Sequence, residues 1–96
     1  MAQTTTQFDS NKMWETIEHY DNYYKGKRSQ RQKYIMCRAI KFFVEDNGLE
    51  NPNQYILYLI ADKALNVSQY KTESALTSTI QEELQKDIHI FQTSNK

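Results

Sequence analysis

Lys25, Lys27, Arg28, Arg31, Lys33, Arg38 and Lys41 fall within one stretch that holds no Asp or Glu. The other five cations and all twelve acids lie elsewhere, and the formal net charge is zero. A block of guanidinium and ammonium groups is the chemistry that meets phosphate. Tyr23, Tyr24 and Tyr34 stand beside these cations, and phenol rings stack on unpaired bases. These ten residues are the candidate nucleic-acid-binding set.

Helical order around the block sharpens the question. Ser29 followed by Gln32 has the S-x-x-Q form of a capping box. It places Arg31 and Lys33 in the first turns of a helix, with Lys27 and Arg28 just ahead of it. That end of a helix carries partial positive charge, so each cation near the first turn costs about 0.3–1 kcal/mol. Two things would offset the cost. One is an anionic partner at free N–H groups. The other is an acidic surface elsewhere in the assembly, with Asp21, Glu82 and Glu83 as candidates. A solvated basic loop is the plain alternative, and zero net charge withholds the overall basicity of most nucleic-acid binders.

Residues for catalysis or metal binding are not arranged for it. His19 and His89 lie near opposite ends, each on the polar side of its helix. No H-x-x-x-H, cysteine pair or acidic loop suggests a metal. There is no G-x-G-x-x-G and no Walker lysine. Cys37, the only cysteine, sits within an apolar arc, a poor place for a nucleophile. Glu82 and Glu83 are adjacent and point about 100° apart on a helix. The expectation is a protein that is not an enzyme and carries no cofactor and no metal.

The elements that position the basic block follow from punctuation and period. Two Gly and one Pro in 96 residues favour helices over a turn-rich β fold. Asp9 or Ser10 caps a first helix over about 11–25, with Met13, Ile17, Tyr20 and Tyr24 at helical spacing. Gly26 fits the left-handed seat that ends it. A second helix runs to about residue 47, where Gly48 stops it. Its apolar residues, Ile35, Met36, Ala39, Ile40, Phe42, Phe43 and Val44, fill over half the circumference. Asn51 and Pro52 open a third helix to about residue 66, apolar nearly all round. A fourth covers about 73–91 on the single stripe Leu76, Ile80, Leu84, Ile88 and Phe91.

The stretch from Ile60 to Ile80 resembles the helix-turn-helix pattern of transcription regulators, with Leu65, Val67, Ser68 and Leu76 at matching spacing. The resemblance implies a recognition helix opening at Ser68. Asp62 stands where that pattern has a small apolar residue and Thr72 where it has Val or Ile. A plain helix–loop–helix hairpin explains the stretch better.

The reading is therefore all-α: a small bundle of four main helices in one domain over residues 9–92. Residues 1–8 read as a flexible tail and 93–96 as a frayed end. One cysteine, no secretory h-region and a longest apolar run of seven residues, Tyr55 to Ala61, point to a cytoplasmic protein. Apolar surplus on the second and third helices suggests a homodimer through Tyr55, Tyr58 and Leu59. The expected partner is nucleic-acid backbone, DNA or RNA, met by the basic loop and helix N-terminus. The alternative is a regulator or inhibitor that docks on a protein through the second and third helices, its basic loop meeting an acidic surface.

Overall fold

Local signals place the helix ends of a computed structural model that describes residues 9–26, 28–49, 54–69 and 71–94, the side chains of 93 and 94 excepted. The expected tail, Lys27, Asn51 and Pro52 lie outside the described residues. Among the described residues five helices follow in order: α1 (Ser10–Tyr23), α2 (Gln30–Asp46), α3 (Gln54–Val67), α4 (Glu73–Lys86) and α5 (Ile88–Ser94). No strand occurs among the described residues, so the all-helical class holds.

Asp9 caps α1, its carboxylate accepting from the Lys12 N–H at 3.0 Å. Ser29 and Gln32 close the capping box of α2 in both directions, at 3.1 and 3.2 Å. Gly48 takes the left-handed seat after α2, with φ +64°. The Gly48 and Leu49 N–H groups return to the carbonyls of Glu45 and Val44. Leu49 then buries its side chain, the hydrophobic contact that accompanies this stop.

The end of α1 differs from expectation. Lys25, not Gly26, holds the left-handed seat, with φ +56°. The Lys25 and Gly26 N–H groups bond back to Asn22 and Asp21. Gly26 is needed for a different reason. A Cβ there would collide with Asp21 Oδ1 and meet Arg28 Nη1 at 3.0 Å.

The fourth helix also departs from the sequence reading. The stripe continues, with Leu76, Ile80, Leu84 and Phe91 buried and Ile88 half-buried. The backbone breaks at Asp87. Its carboxylate accepts from Lys63 Nζ of α3 at 2.9 Å, and its carbonyl accepts from the Ile90 N–H at 2.9 Å. Asp87 thus starts α5 afresh.

Packing pairs α2 with α4 and α1 with α3. α1 also meets α2 and α3 meets α4, while α2 and α3 barely touch. The order around the bundle is therefore α1, α2, α4, α3, with α2 and α3 on a diagonal. Met13 and Ile17 from α1, Met36 and Ile40 from α2, Ile56 and Ile60 from α3 and Ile80 from α4 are fully buried within one core. The apolar breadth of α2 and α3 is largely used inside the single chain. Ile56, Leu57, Ile60, Ala61, Ala64 and Leu65 of α3 are all buried. Tyr55 and Tyr58 stay exposed and Leu59 is half-buried.

The helix-turn-helix resemblance does not extend to the opening of the second helix. α3 ends at Val67 and α4 begins at Glu73, and Ser68 is buried rather than at the start of an exposed recognition helix. No helix among the described residues is long and apolar enough to cross a membrane.

Candidate cationic and aromatic cleft

Arg28 points inward. Its side chain is 12% exposed and that of Asp21 is 4% exposed. Nη1 donates to Asp21 Oδ1 at 3.1 Å, and the Arg28 backbone N–H donates to Oδ2 at 3.2 Å. Nη2 donates to the Leu65 carbonyl at 2.7 Å and to Ser68 Oγ at 3.2 Å. One side chain thus binds an acid on α1 and a carbonyl in the last turn of α3 that also accepts from the Ser68 hydroxyl. A guanidinium held this way serves the fold.

The neighbouring cations also meet acids. Lys33 Nζ lies 3.4 Å from Glu18 of α1 and 5.9 Å from the centroid of the Trp14 ring. Its side chain is 12% exposed. Arg31 reaches Glu73 of α4 at 2.9 Å, but its own side chain is 75% exposed. An ion pair that open is worth about 0–1 kcal/mol, so Arg31 can exchange Glu73 for another anion. Asp21 is the acid the sequence offered as compensation. Glu18 and Glu73 were not legible there, because their separations of 15 and 42 residues carry no local pattern. Of the other two acids offered, Glu83 pairs with Lys86 at 3.0 Å and Glu82 is exposed.

Arg38 and Lys41 form no ion pair among the described residues. They line a cleft of about 380 Å³ between the start of α1 and the middle of α2, beside Trp14, Tyr34, Cys37 and Phe42. Ser10 and Asn11 complete it, and among the described residues no acid lines it. Tyr34, Arg38 and Phe42 stand four residues apart on α2, so they share one face. The Arg38 guanidinium carbon lies 5.9 Å from the Tyr34 ring centroid and 5.4 Å from that of Phe42. This cation–π contact presets the side chain's direction. Cys37 is buried, and its Sγ lies 3.8 Å from the Ser10 carbonyl oxygen. Burial pushes its thiol above the ordinary value, against a smaller opposing effect of Lys41.

The two remaining tyrosines of the candidate set lie elsewhere. Tyr23 and Tyr24 are exposed at the end of α1, their rings 5.1 Å apart. The Tyr24 hydroxyl donates to Asp62 Oδ1, a bond that raises the phenol's pKa. Lys25 is exposed beside them and lines a second, more polar cleft of about 360 Å³ with Arg28 and Lys71. The ten candidate residues therefore divide. Tyr34, Arg38 and Lys41 share one cleft. Tyr23, Tyr24 and Lys25 lie at the end of α1. Arg28 and Lys33 face inward, Arg31 lies between, and Lys27 falls outside the described residues.

Sequence reasoning missed Trp14 and Phe42 as members of the site. Phe42 reads as part of the apolar arc of the second helix, and Trp14 as flanking the stripe of the first. Only the packing of α1 on α2 shows Trp14 half-buried at the cleft and Phe42 exposed. Among the described residues no group of His, Cys, Asp and Glu is gathered to hold a metal. His19 and His89 are exposed and far apart in the chain. Compared with protein-family models, curated proteins and solved structures, the chain matches none of them.

Proposed function

We propose that the protein associates with nucleic acid and meets the phosphate backbone chiefly through Arg38 and Lys41, with Arg31 and Lys25 extending the contact. The observation that carries this is the pairing pattern of the basic stretch. Arg28 and Lys33 are held by acids of their own fold, whereas Arg38 and Lys41 have no acid partner among the described residues and line an aromatic cleft. Unpaired cations on a rigid helix, beside rings, suit a phosphate backbone with bases near it. Arg28 and Lys33 leave the contact set for the same reason.

Fluorescence anisotropy of labelled oligonucleotides tests the reading, at low salt and again near physiological salt. Binding that weakens with salt and is lost in Arg38→Glu/Lys41→Glu supports it. No binding at low salt overturns it.

A second reading has one observation in its favour. Rings of Tyr58, Tyr20, Tyr24 and Tyr23 meet in that order across α3 and α1, and all but Tyr20 are exposed. Aromatic surface of this kind is enriched at protein interfaces. With Tyr55 it would seat a second copy or another protein. Sedimentation equilibrium of the wild type and of Tyr55→Ser/Tyr58→Ser separates the cases. A monomer at high concentration removes the homodimer.

A further inference from the structure

We propose that the cleft between α1 and α2 receives one unpaired base, so that the protein prefers single-stranded nucleic acid to duplex; this rests on the nucleic-acid reading above. The cleft's surfaces are flat ones. Trp14 comes from α1, and Tyr34, Arg38 and Phe42 come from one face of α2. Unpaired bases stack on aromatic rings and on guanidinium planes. Arg38 already lies against Tyr34 and Phe42, at 5.9 and 5.4 Å to their centroids. The stacking surface is therefore ordered before any ligand arrives, which lowers the entropic cost of binding.

Size narrows the ligand. A volume of about 380 Å³ lies near the lower end of the range for ligand pockets. It is enough for one nucleotide and too small for a run of several. A duplex keeps its bases stacked inside, so it can offer only phosphates to Arg38 and Lys41. A single strand can offer a phosphate and a base together. The charge of the site agrees: among the described residues two cations line it and no acid does. Trp14 is the only tryptophan in the sequence and lines the cleft, so its emission reports a ligand that enters there.

The test uses the full chain with three probes at one salt concentration. They are a labelled oligothymidylate, a duplex of equal length, and thymidine monophosphate. The single strand is expected to bind more tightly than the duplex and to quench Trp14, while the duplex leaves Trp14 unchanged. Tyr34→Ala is expected to weaken single-strand binding roughly 5- to 150-fold, the loss of one stacked base. Tyr34 is 56% exposed, so the variant should fold, and circular dichroism checks that it does. Equal affinity for strand and duplex with unchanged Trp14 emission overturns the inference and leaves the phosphate reading standing. Binding of neither polymer, with quenching by the mononucleotide, overturns the nucleic-acid reading and supports the base-sized cleft alone. Silence from all three probes overturns both.

Discussion

Arg28 holds Asp21 at 3.1 Å and the Leu65 carbonyl at 2.7 Å, so one guanidinium ties the end of α1 to the end of α3. The two side chains are the most enclosed ion pair of the described residues. Removing one partner of such a pair leaves an uncompensated buried charge, which costs about 3–5 kcal/mol. Asp21→Asn and Arg28→Met should each lose stability on that scale in urea titrations. The double variant should lose clearly less than the sum. Additive losses would show that the two residues act independently.

The stop of α1 strains a lysine where a glycine would be at ease. A non-glycine residue in the left-handed region costs about 1–2 kcal/mol. Lys25→Gly is expected to raise stability by up to about 1 kcal/mol, after the greater entropy of a glycine in the unfolded chain is set against that relief. Gly48→Ala should do the reverse by about 1 kcal/mol, since Gly48 holds φ +64°. Thermal melts of the two variants should therefore shift in opposite directions.

The capping box of α2 is local and separable from the cleft. Ser29→Ala removes the acceptor for the Gln32 N–H and is expected to cost about 1 kcal/mol. It should leave oligonucleotide affinity unchanged. A large loss of affinity in that variant would move the contact toward the helix N-terminus and away from Arg38 and Lys41.

Cys37 provides a pH-dependent probe of the cleft. Burial raises its pKa in the folded chain, so the thiolate, the reactive form, is scarcer than in a free thiol at neutral pH. Alkylation by iodoacetamide should be slow there and rise as pH climbs past the ordinary thiol range. The sign for stability follows. The unfolded chain loses the proton at lower pH than the folded one, so the folded state binds more protons in between. The contribution is fully present below the unfolded pKa and is lost as pH rises through the folded one. Cys37→Ala should remove that part of the alkaline loss. Alkylation as fast as that of a free thiol at neutral pH would contradict it.

Much of this architecture is legible in the sequence because its signals are local. Asp9, Ser29 with Gln32, and Gly48 mark helix ends within a few residues, and each does what its chemistry implies. The break at Asp87 is hidden because Leu84, Ile88 and Phe91 keep one stripe running across it. What starts α5 afresh there is Asp87, whose carbonyl accepts from the Ile90 N–H and whose carboxylate accepts from Lys63 on another helix. The apolar breadth of α2 and α3 suggests a surplus; α1 and α4 cover most of it because α2 and α3 sit on a diagonal, and Phe42, Tyr55 and Tyr58 stay exposed. The charge of the basic block was legible as composition. Its division into paired and unpaired cations was not, since Glu18 and Glu73 meet their partners only through space. Trp14 joined the candidate site only once α1 lay against α2.

The most direct measurement is the salt dependence of oligonucleotide affinity in the wild type and in Arg38→Ala/Lys41→Ala. For a single strand, each neutralised phosphate contributes about −0.7 to the slope of log K against log salt concentration. If Arg38 and Lys41 are the main phosphate contacts, the double variant should bind more weakly and its slope should be shallower by about 1.4. An unchanged slope with unchanged affinity would contradict the account, because these two cations would then meet no phosphate.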